Sequence, residues 1–141
     1  MTEQERAESV VAGMLEKDEF TRWLGAEVLD VAPGRATLRM KVRPEMLNGF
    51  GVCHGGVVFS LADSALAFAC NSSGKVTVSI ENSISYPVST RDSDVLTASA
   101  EEEGGGRRIS FFSVTVRRSD GLKVALFRGT VYRTDKAHPL R

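Results

Sequence analysis

One carboxylate interrupts the most apolar stretch of this 141-residue chain. Between Gly56 and Asn71 almost every position is apolar or small, and Asp63 is the exception. It is the only acid between Glu45 and Glu81, and no Lys or Arg lies within one helical turn of it. A buried ionised carboxylate is costly unless it is paired or hydrogen-bonded, and Asp is poorly suited to a helix interior. Such a residue sits on an exposed helix face, or meets a distant Arg, or works as a base or nucleophile with a raised pKa. Just upstream, His54-Gly55-Gly56 opens the same segment. The first amides of a helix lack internal partners and stand at its positive end. Glycine there lets a ligand approach the backbone, and it equally serves close packing at a turn.

Other reactive side chains give less. Asn48-Gly49 is a good turn signal. His54 is either a general base or a helix-start hydrogen-bonding residue. Ser64 and Ser79 are polar neighbours of the apolar segment and of the strand after it. No G-x-S-x-G elbow is present, which argues against a serine triad. Cys53 and His54 are adjacent but belong to no Cys–His–Asn pattern. Two Cys and two His without close pairing are too few for a metal centre. Gly104-Gly105-Gly106-Arg107-Arg108 sets flexible backbone beside two guanidiniums suited to phosphate oxygens, or is a solvated hairpin tip. Arg128, Arg133 and Lys136 make a second basic group. The glycine run lacks the helix and the G-K-[ST] ending of a P-loop.

The elements that must position these residues follow from periodicity. Residues 3 to 20 place Val10, Val11, Met14 and Leu15 at helical spacing, which predicts an amphipathic helix. Trp23 to Val31 reads as a first strand, and Pro33-Gly34 as a turn. Arg35 to Arg43 alternates, with Ala36, Leu38, Met40 and Val42 on one face, as a half-buried strand does. Gly55 to Ser73, proline-free and apolar nearly all round, predicts a long buried helix with Gly74 at its C-terminal cap. Four strands follow: Val76 to Tyr86, Asp94 to Glu103, Arg107 to Arg118 and Leu122 to Arg133. The last two joints are short enough for hairpins. One domain is expected, of α+β class, with a curved antiparallel sheet wrapped around the long helix.

Lys plus Arg equals Asp plus Glu at 18 each, which argues against a nucleic-acid or membrane-surface binder. The cysteines read as free thiols in a reducing cytoplasm. The charged N-terminus has no signal-peptide apolar region. Val52 to Cys70 is broken by His54 and Asp63 and reads as core, not as a membrane span.

Asn48-Gly49, His54-Gly55-Gly56, Leu61-Ala62-Asp63, the run to Ala69-Cys70-Asn71 and the distal Ala125-Leu126-Phe127-Arg128-Gly129 together resemble the hotdog-fold acyl-CoA thioesterases. The match is nearest to the phenylacetyl-CoA thioesterase (PaaI) group and covers about residues 20 to 133. The resemblance implies a hotdog fold and hydrolysis of an acyl-CoA to a carboxylate and free CoA. Coenzyme A enters as part of the substrate, and no separate cofactor is required. It makes the Gly55 amide the carbonyl-polarising donor and Asp63 the base or nucleophile. It gives Asn48 and His54 orienting roles, and lets Ser64 or Ser79 help place water or the thioester. Gly106, Arg107, Arg108 and Arg128 become candidates for the CoA phosphates. An aromatic acyl group is compatible with a pocket lined by Leu47, Phe50, Phe59 and Phe68.

Gly55 and Asp63 are eight residues apart, which is about 12 Å along one helix. One thioester carbon cannot meet both from the same helix. A two-fold dimer with antiparallel helices solves this by placing Gly55 of one chain against Asp63 of the other. A homodimer with two shared sites is therefore expected, and the resemblance extends it to a homotetramer. Two other readings stay open. A hotdog hydratase or dehydratase would set His54 and Asp63 together across a dimer. A non-catalytic acyl-CoA-binding protein would keep the glycines and arginines but would not need Asp63.

Overall fold

The computed structural model describes residues 1–140. Helix α1 (Glu3–Lys17) begins where the Thr2 hydroxyl accepts the Glu5 amide, with Glu3 and Glu5 in its first turn and Lys17 in its last. These charges suit the two ends of the helix dipole. Its buried face is Ala7, Val10 and Val11.

The helix expected over residues 3 to 20 breaks at Asp18. The Asp18 carboxylate accepts the Thr21 amide at 3.0 Å and starts a second, short helix, α2 (Glu19–Leu24). Gly25, at φ 76°, ends it. Trp23 therefore lies in a helix and not in the first strand, which runs only over β1 (Glu27–Ala32). Arg43 supports this arrangement from a distance. Its guanidinium donates to the Leu24 and Trp23 carbonyls at 2.9 and 2.6 Å and lies over the Trp23 ring.

Pro33-Gly34 turns the chain into β2 (Arg35–Lys41), where Ala36, Leu38 and Met40 face inward as the alternation requires. A 3-10 turn at Pro44–Met46 and a loop lead into α3 (Gly55–Asn71). After Gly74, at φ 100°, come β3 (Lys75–Ser85), β4 (Val95–Gly105), β5 (Ile109–Arg118) and β6 (Lys123–Ala137). The glycine joint is tighter than a flexible tip. Gly104 and Gly105 belong to β4, and a Cβ at Gly105 would sit 2.5 Å from the Ile109 carbonyl.

All pairings are antiparallel, and the strand order is β1-β2-β4-β5-β6-β3. Helix α3 packs across this sheet. Its Leu61, Ala62, Ala65, Phe68 and Ala69 join Leu38, Ala98, Phe112, Val114 and Phe127 of the strands in one core. Alanines at three of the helix positions let the sheet come close to the helix. This is the α+β arrangement the resemblance implies.

Helix α3 is not buried all round. Beyond its first turn and Phe59, its less covered positions are Ser60, Asp63 and Ala67, and their spacing lines them up with Gly56 on one stripe. Strand β3 lies at an end of the sheet and leaves Val78 and Ile80 about half exposed. The site is built where this stripe and this edge strand meet.

Candidate active site

Asp63 occupies the open stripe of α3 and is half-buried. Its Oδ1 accepts from the Asn82 side-chain amide at 3.4 Å, and no Lys or Arg bonds it. Burial raises its pKa, and the nearby Asp18 carboxylate adds to the rise. Both effects disfavour the ionised form. Asp63 borders a cavity of about 420 Å³ that runs between α1, α3 and β3, walled by Met14, Leu66, Ala67, Cys70 and Val76. Ser79 lies on the same cavity, and its hydroxyl also meets the Asn82 amide, at 3.2 Å. The Cys70 thiol in this wall is pushed up to about 12 by burial and is therefore no thiolate at neutral pH.

The N-terminus of α3 is the second part of the candidate site. His54 is the N-cap: its Nδ1 accepts the Gly56 amide at 3.2 Å, and its carbonyl accepts the Val57 and Val58 amides. The Gly55 amide has no partner among the described residues. Tyr86 lies against this glycine and donates its hydroxyl to the Gly55 carbonyl at 2.8 Å. A Cβ at position 55 would stand 3.2 Å from the Tyr86 ring, so the glycine also makes room for the ring. Asn48 folds its own loop, with its Oδ1 accepting the Phe50 and Val52 amides at 2.9 and 3.3 Å. That leaves its side-chain NH₂ group for another acceptor.

Ser64 follows Asp63 but looks elsewhere. Its hydroxyl is buried and lies 2.7 Å from the Thr21 hydroxyl, which donates to Asp18 at 2.7 Å. Ser64 therefore ties α3 to α2. The four residues expected to line an aromatic pocket do not meet. Phe68 faces the sheet and is fully buried, Phe59 packs edge-on against Phe127, Leu47 leans on the core, and Phe50 is 91% exposed on the 48–52 loop. The helical turn spreads Phe59 and Phe68 to different faces, and the cavity beside Asp63 is lined by other residues.

The two basic groups read from the sequence regroup in space. Arg107 and Arg108 both pair with Asp135, at 3.3 and 2.7 Å. Arg133 joins them, donating to the Gly106 and Arg107 carbonyls and meeting Glu102. Arg128 stands apart, exposed on β6 five residues from Arg133, or about 16 Å along the strand. Three residues of the site went unread in the sequence: Asn82, Tyr86 and Asp18. A polar Ser-x-Glu-Asn-Ser run inside a strand was a signal for Asn82, because Asn is depleted in strands. Tyr86 and Asp18 act only through tertiary contact. Among the described residues no group of three or more His, Cys, Asp or Glu gathers where it could hold a metal ion. No helix there is long and apolar enough to cross a membrane.

An unpartnered helix-start amide and a carboxylate without a cation, on one helix, are the parts of a thioester hydrolase. Residues 50–125 match the family described as the Thioesterase superfamily. The acyl-coenzyme A thioesterase PaaI of Escherichia coli is 37% identical over 120 residues, which is 85% of this chain and 86% of that protein. The chain belongs to the thioesterase superfamily.

The solved structure of the E. coli PaaI protein from the phenylacetic acid degradation operon superposes with a TM-score of 0.94, at 33% identity. It covers 96% of this chain and 99% of that one. A hypothetical thioesterase from Streptococcus pneumoniae, solved with coenzyme A, superposes at TM-score 0.77 and 27% identity over 80% of this chain and 88% of that one. The fold is therefore the hotdog of the PaaI-type thioesterases, and the chain is a thioester hydrolase acting on acyl-CoA. The hydratase reading needs His54 beside Asp63, whereas the matches are to thioesterases and His54 caps the start of α3 through Nδ1. The non-catalytic reading has no use for Asp63, a carboxylate held without a cation in a cavity wall.

Proposed function

We propose that the protein hydrolyses aryl acyl-CoA thioesters of the phenylacetyl type, with Asp63 as base or nucleophile and the Gly55 amide as the oxyanion donor. The observation that carries this reading is the pair of unmet groups on α3: an amide without an acceptor at its start and a carboxylate without a cation eight residues on.

About 12 Å of helix separates the two, so the working site is shared. Edge strand β3 offers free backbone groups and the exposed side chains of Val78 and Ile80. Pairing β3 with its copy about a two-fold axis continues the sheet and covers the open stripe of α3. Gly55 of one chain then faces Asp63 of its partner, giving two sites per dimer, and dimers pair into a tetramer. The thioester carbonyl accepts the Gly55 amide, which strengthens as the oxyanion develops. As a base, Asp63 takes a proton from water as the oxygen bonds the acyl carbon. As a nucleophile, its own oxygen bonds the carbon and water then cleaves the anhydride. In both routes the C–S bond breaks and CoA leaves as a thiolate that takes up a proton. The Asn48 NH₂ group orients the thioester, His54 holds the helix start in place, and the Ser79 hydroxyl helps to place water. Ser64 acts only through its tie to Thr21 and Asp18.

Arg107 and Arg108 receive the CoA phosphates by exchanging Asp135 for phosphate oxygens, while Gly106, whose amide is given to the Ile109 carbonyl and whose carbonyl accepts from Arg133, holds the turn that presents them. Arg128, alone on the sheet, binds a phosphate only from a different direction. The cavity beside Asp63, at about 420 Å³, is within the size range of small-ligand sites. The setting is the cytoplasm, where acyl-CoA is met in solution.

Release of CoA from phenylacetyl-CoA, followed for the wild type and Asp63→Asn, tests the reading. Turnover by the wild type, with a loss of about a hundredfold or more in the variant, supports it. Equal release by both proteins removes Asp63 from the chemistry. Turnover of aliphatic but not aryl thioesters overturns the substrate class.

A further inference from the structure

Strand β3 is irregular where it passes Asp63. Its pairing with β6 slips between Ser79 and Glu81, which makes Ile80 the extra residue of a bulge. In a regular strand Ser79 and Asn82, an odd number of positions apart, point to opposite faces. A bulge re-aims one of them, and here both reach the same cluster. The Asn82 Nδ2 lies 3.2 Å from Ser79 Oγ and 3.4 Å from Asp63 Oδ1.

The chain maintains this cluster at a cost. Asn82 Oδ1 is buried and has no hydrogen-bond partner, an arrangement that a native core normally avoids. Opposite Asn82 in register stands Gly129 of β6. A Cβ there would lie 2.9 Å from Asn82 Oδ1 and 2.6 Å from Leu66 Cδ2. Gly129 is thus the notch that admits the amide between the sheet and α3. The opposite setting of the amide would turn its carbonyl toward the Asp63 carboxylate, so the charge itself fixes which end faces it.

We propose that Asn82 is a positioning residue for hydrolysis: its amide clamps Asp63 Oδ1 and Ser79 Oγ in one arrangement and leaves Asp63 Oδ2 to meet the thioester or water. The inference rests on the assignment of Asp63 as the reacting carboxylate. A donor to the ionised form also favours ionisation, against the burial and the Asp18 charge that oppose it. The other titratable or charged groups around the cluster are Cys70 on α3, Arg133 of β6 beyond it, and His138 on the cavity wall. None of them bonds Asp63. The clamp is therefore the local contact that aims the carboxylate and opposes the effect of its burial.

The test uses Asn82→Leu, which keeps the branching of the side chain but has neither the donor nor the unpaired carbonyl. It is assayed for CoA release across pH beside the wild type and Asp63→Asn. The expected result is a folded variant with unchanged or higher melting temperature, kcat lower by about tenfold or more, and nearly unchanged KM. The acid limb of kcat/KM moves to higher pH. A folded Asn82→Leu with wild-type kcat and an unmoved acid limb overturns the proposal. Should that variant fail to fold, Asn82→Ala decides: loss of the donor lowers kcat and moves the limb upward if the clamp is real, and wild-type kcat with an unmoved limb overturns it. Equal turnover by wild type and Asp63→Asn overturns the Asp63 assignment and the clamp together, whereas a normal Asp63→Asn loss with an indifferent Asn82 removes only the clamp.

Discussion

Two aspartates of this chain have opposite surroundings. Asp135, near the end of β6, is exposed and holds Arg107 and Arg108, and its pKa is lowered, first by the Arg108 hydrogen bond. Asp63 is half-buried in α3, receives one long hydrogen bond from a neutral amide, and is raised by burial and by Asp18. A charge met by opposite charge is settled and serves local structure. A charge left unmet in a cavity wall is held at an energetic disadvantage, which is how an active site keeps a carboxylate reactive. The difference separates the region proposed for the chemistry from the region proposed for the substrate's phosphates.

The largest expected effect breaks the comparison at its reactive side. Asp63→Asn lowers turnover by about a hundredfold or more and raises the melting temperature at neutral pH, because an isosteric amide costs less to bury than the charge. The sign follows from linkage. A carboxylate raised in the folded state favours folding fully below its unfolded pKa, and that contribution is lost as pH rises through the folded value. The stability gain of Asp63→Asn should therefore vanish at low pH, and the wild-type rate should fall below an acid limb displaced upward from the ordinary Asp value. A thermal melt and a pH–rate profile check both. A variant that is slower and also less stable at neutral pH would make Asp63 a structural residue.

The next effect is at the helix start. Gly55→Pro suits the first helical position; it deletes the unpartnered amide and also sets a Cβ against the Tyr86 ring, and should reduce kcat by about a hundredfold. Gly55→Ala keeps the amide but presses on the Tyr86 ring, and should reduce kcat only a few-fold. Equal losses in the two variants would assign the glycine to packing. Smaller changes belong to the settled side. Arg108→Ala should raise KM for acyl-CoA a few-fold with kcat unchanged. Asp135→Asn should lower KM, because it frees both guanidiniums, and the gain should fade in high salt. A KM indifferent to both substitutions would place the phosphates elsewhere.

Much of this was legible before the fold was known. The alternation of Ala36, Leu38, Met40 and Val42, the Pro33-Gly34 turn, the short joint between the last two strands and the proline-free run from Gly55 are local signals, and each became the expected element. Asp63 was legible because a lone acid in an apolar run is a chemical anomaly. What failed to show depends on contacts between distant segments. The break at Asp18 uses a short-range cap, but Trp23 is held in α2 by Arg43, twenty residues away. Asn82 reaches Asp63 only through a bulge, which shifts the two-residue period that sequence reading assumes. The aromatic pocket was misjudged because Phe59 and Phe68 were grouped by type, whereas the helical period divides them. Arg133 joined Arg107 and Arg108 through pairing of β5 with β6, a contact that strand spacing alone does not specify.

The central claim is that Gly55 and Asp63 act together only across two chains. Mixing Gly55→Pro and Asp63→Asn subunits, each inactive alone, tests it most directly. A mixed dimer keeps one intact site, the one built from the unaltered Gly55 of one chain and the unaltered Asp63 of the other. An equal mixture at full exchange should recover about a quarter of wild-type activity, since half the dimers are mixed and each carries one of two sites. Subunits shown by mass to have exchanged, yet still inactive, would contradict the shared site.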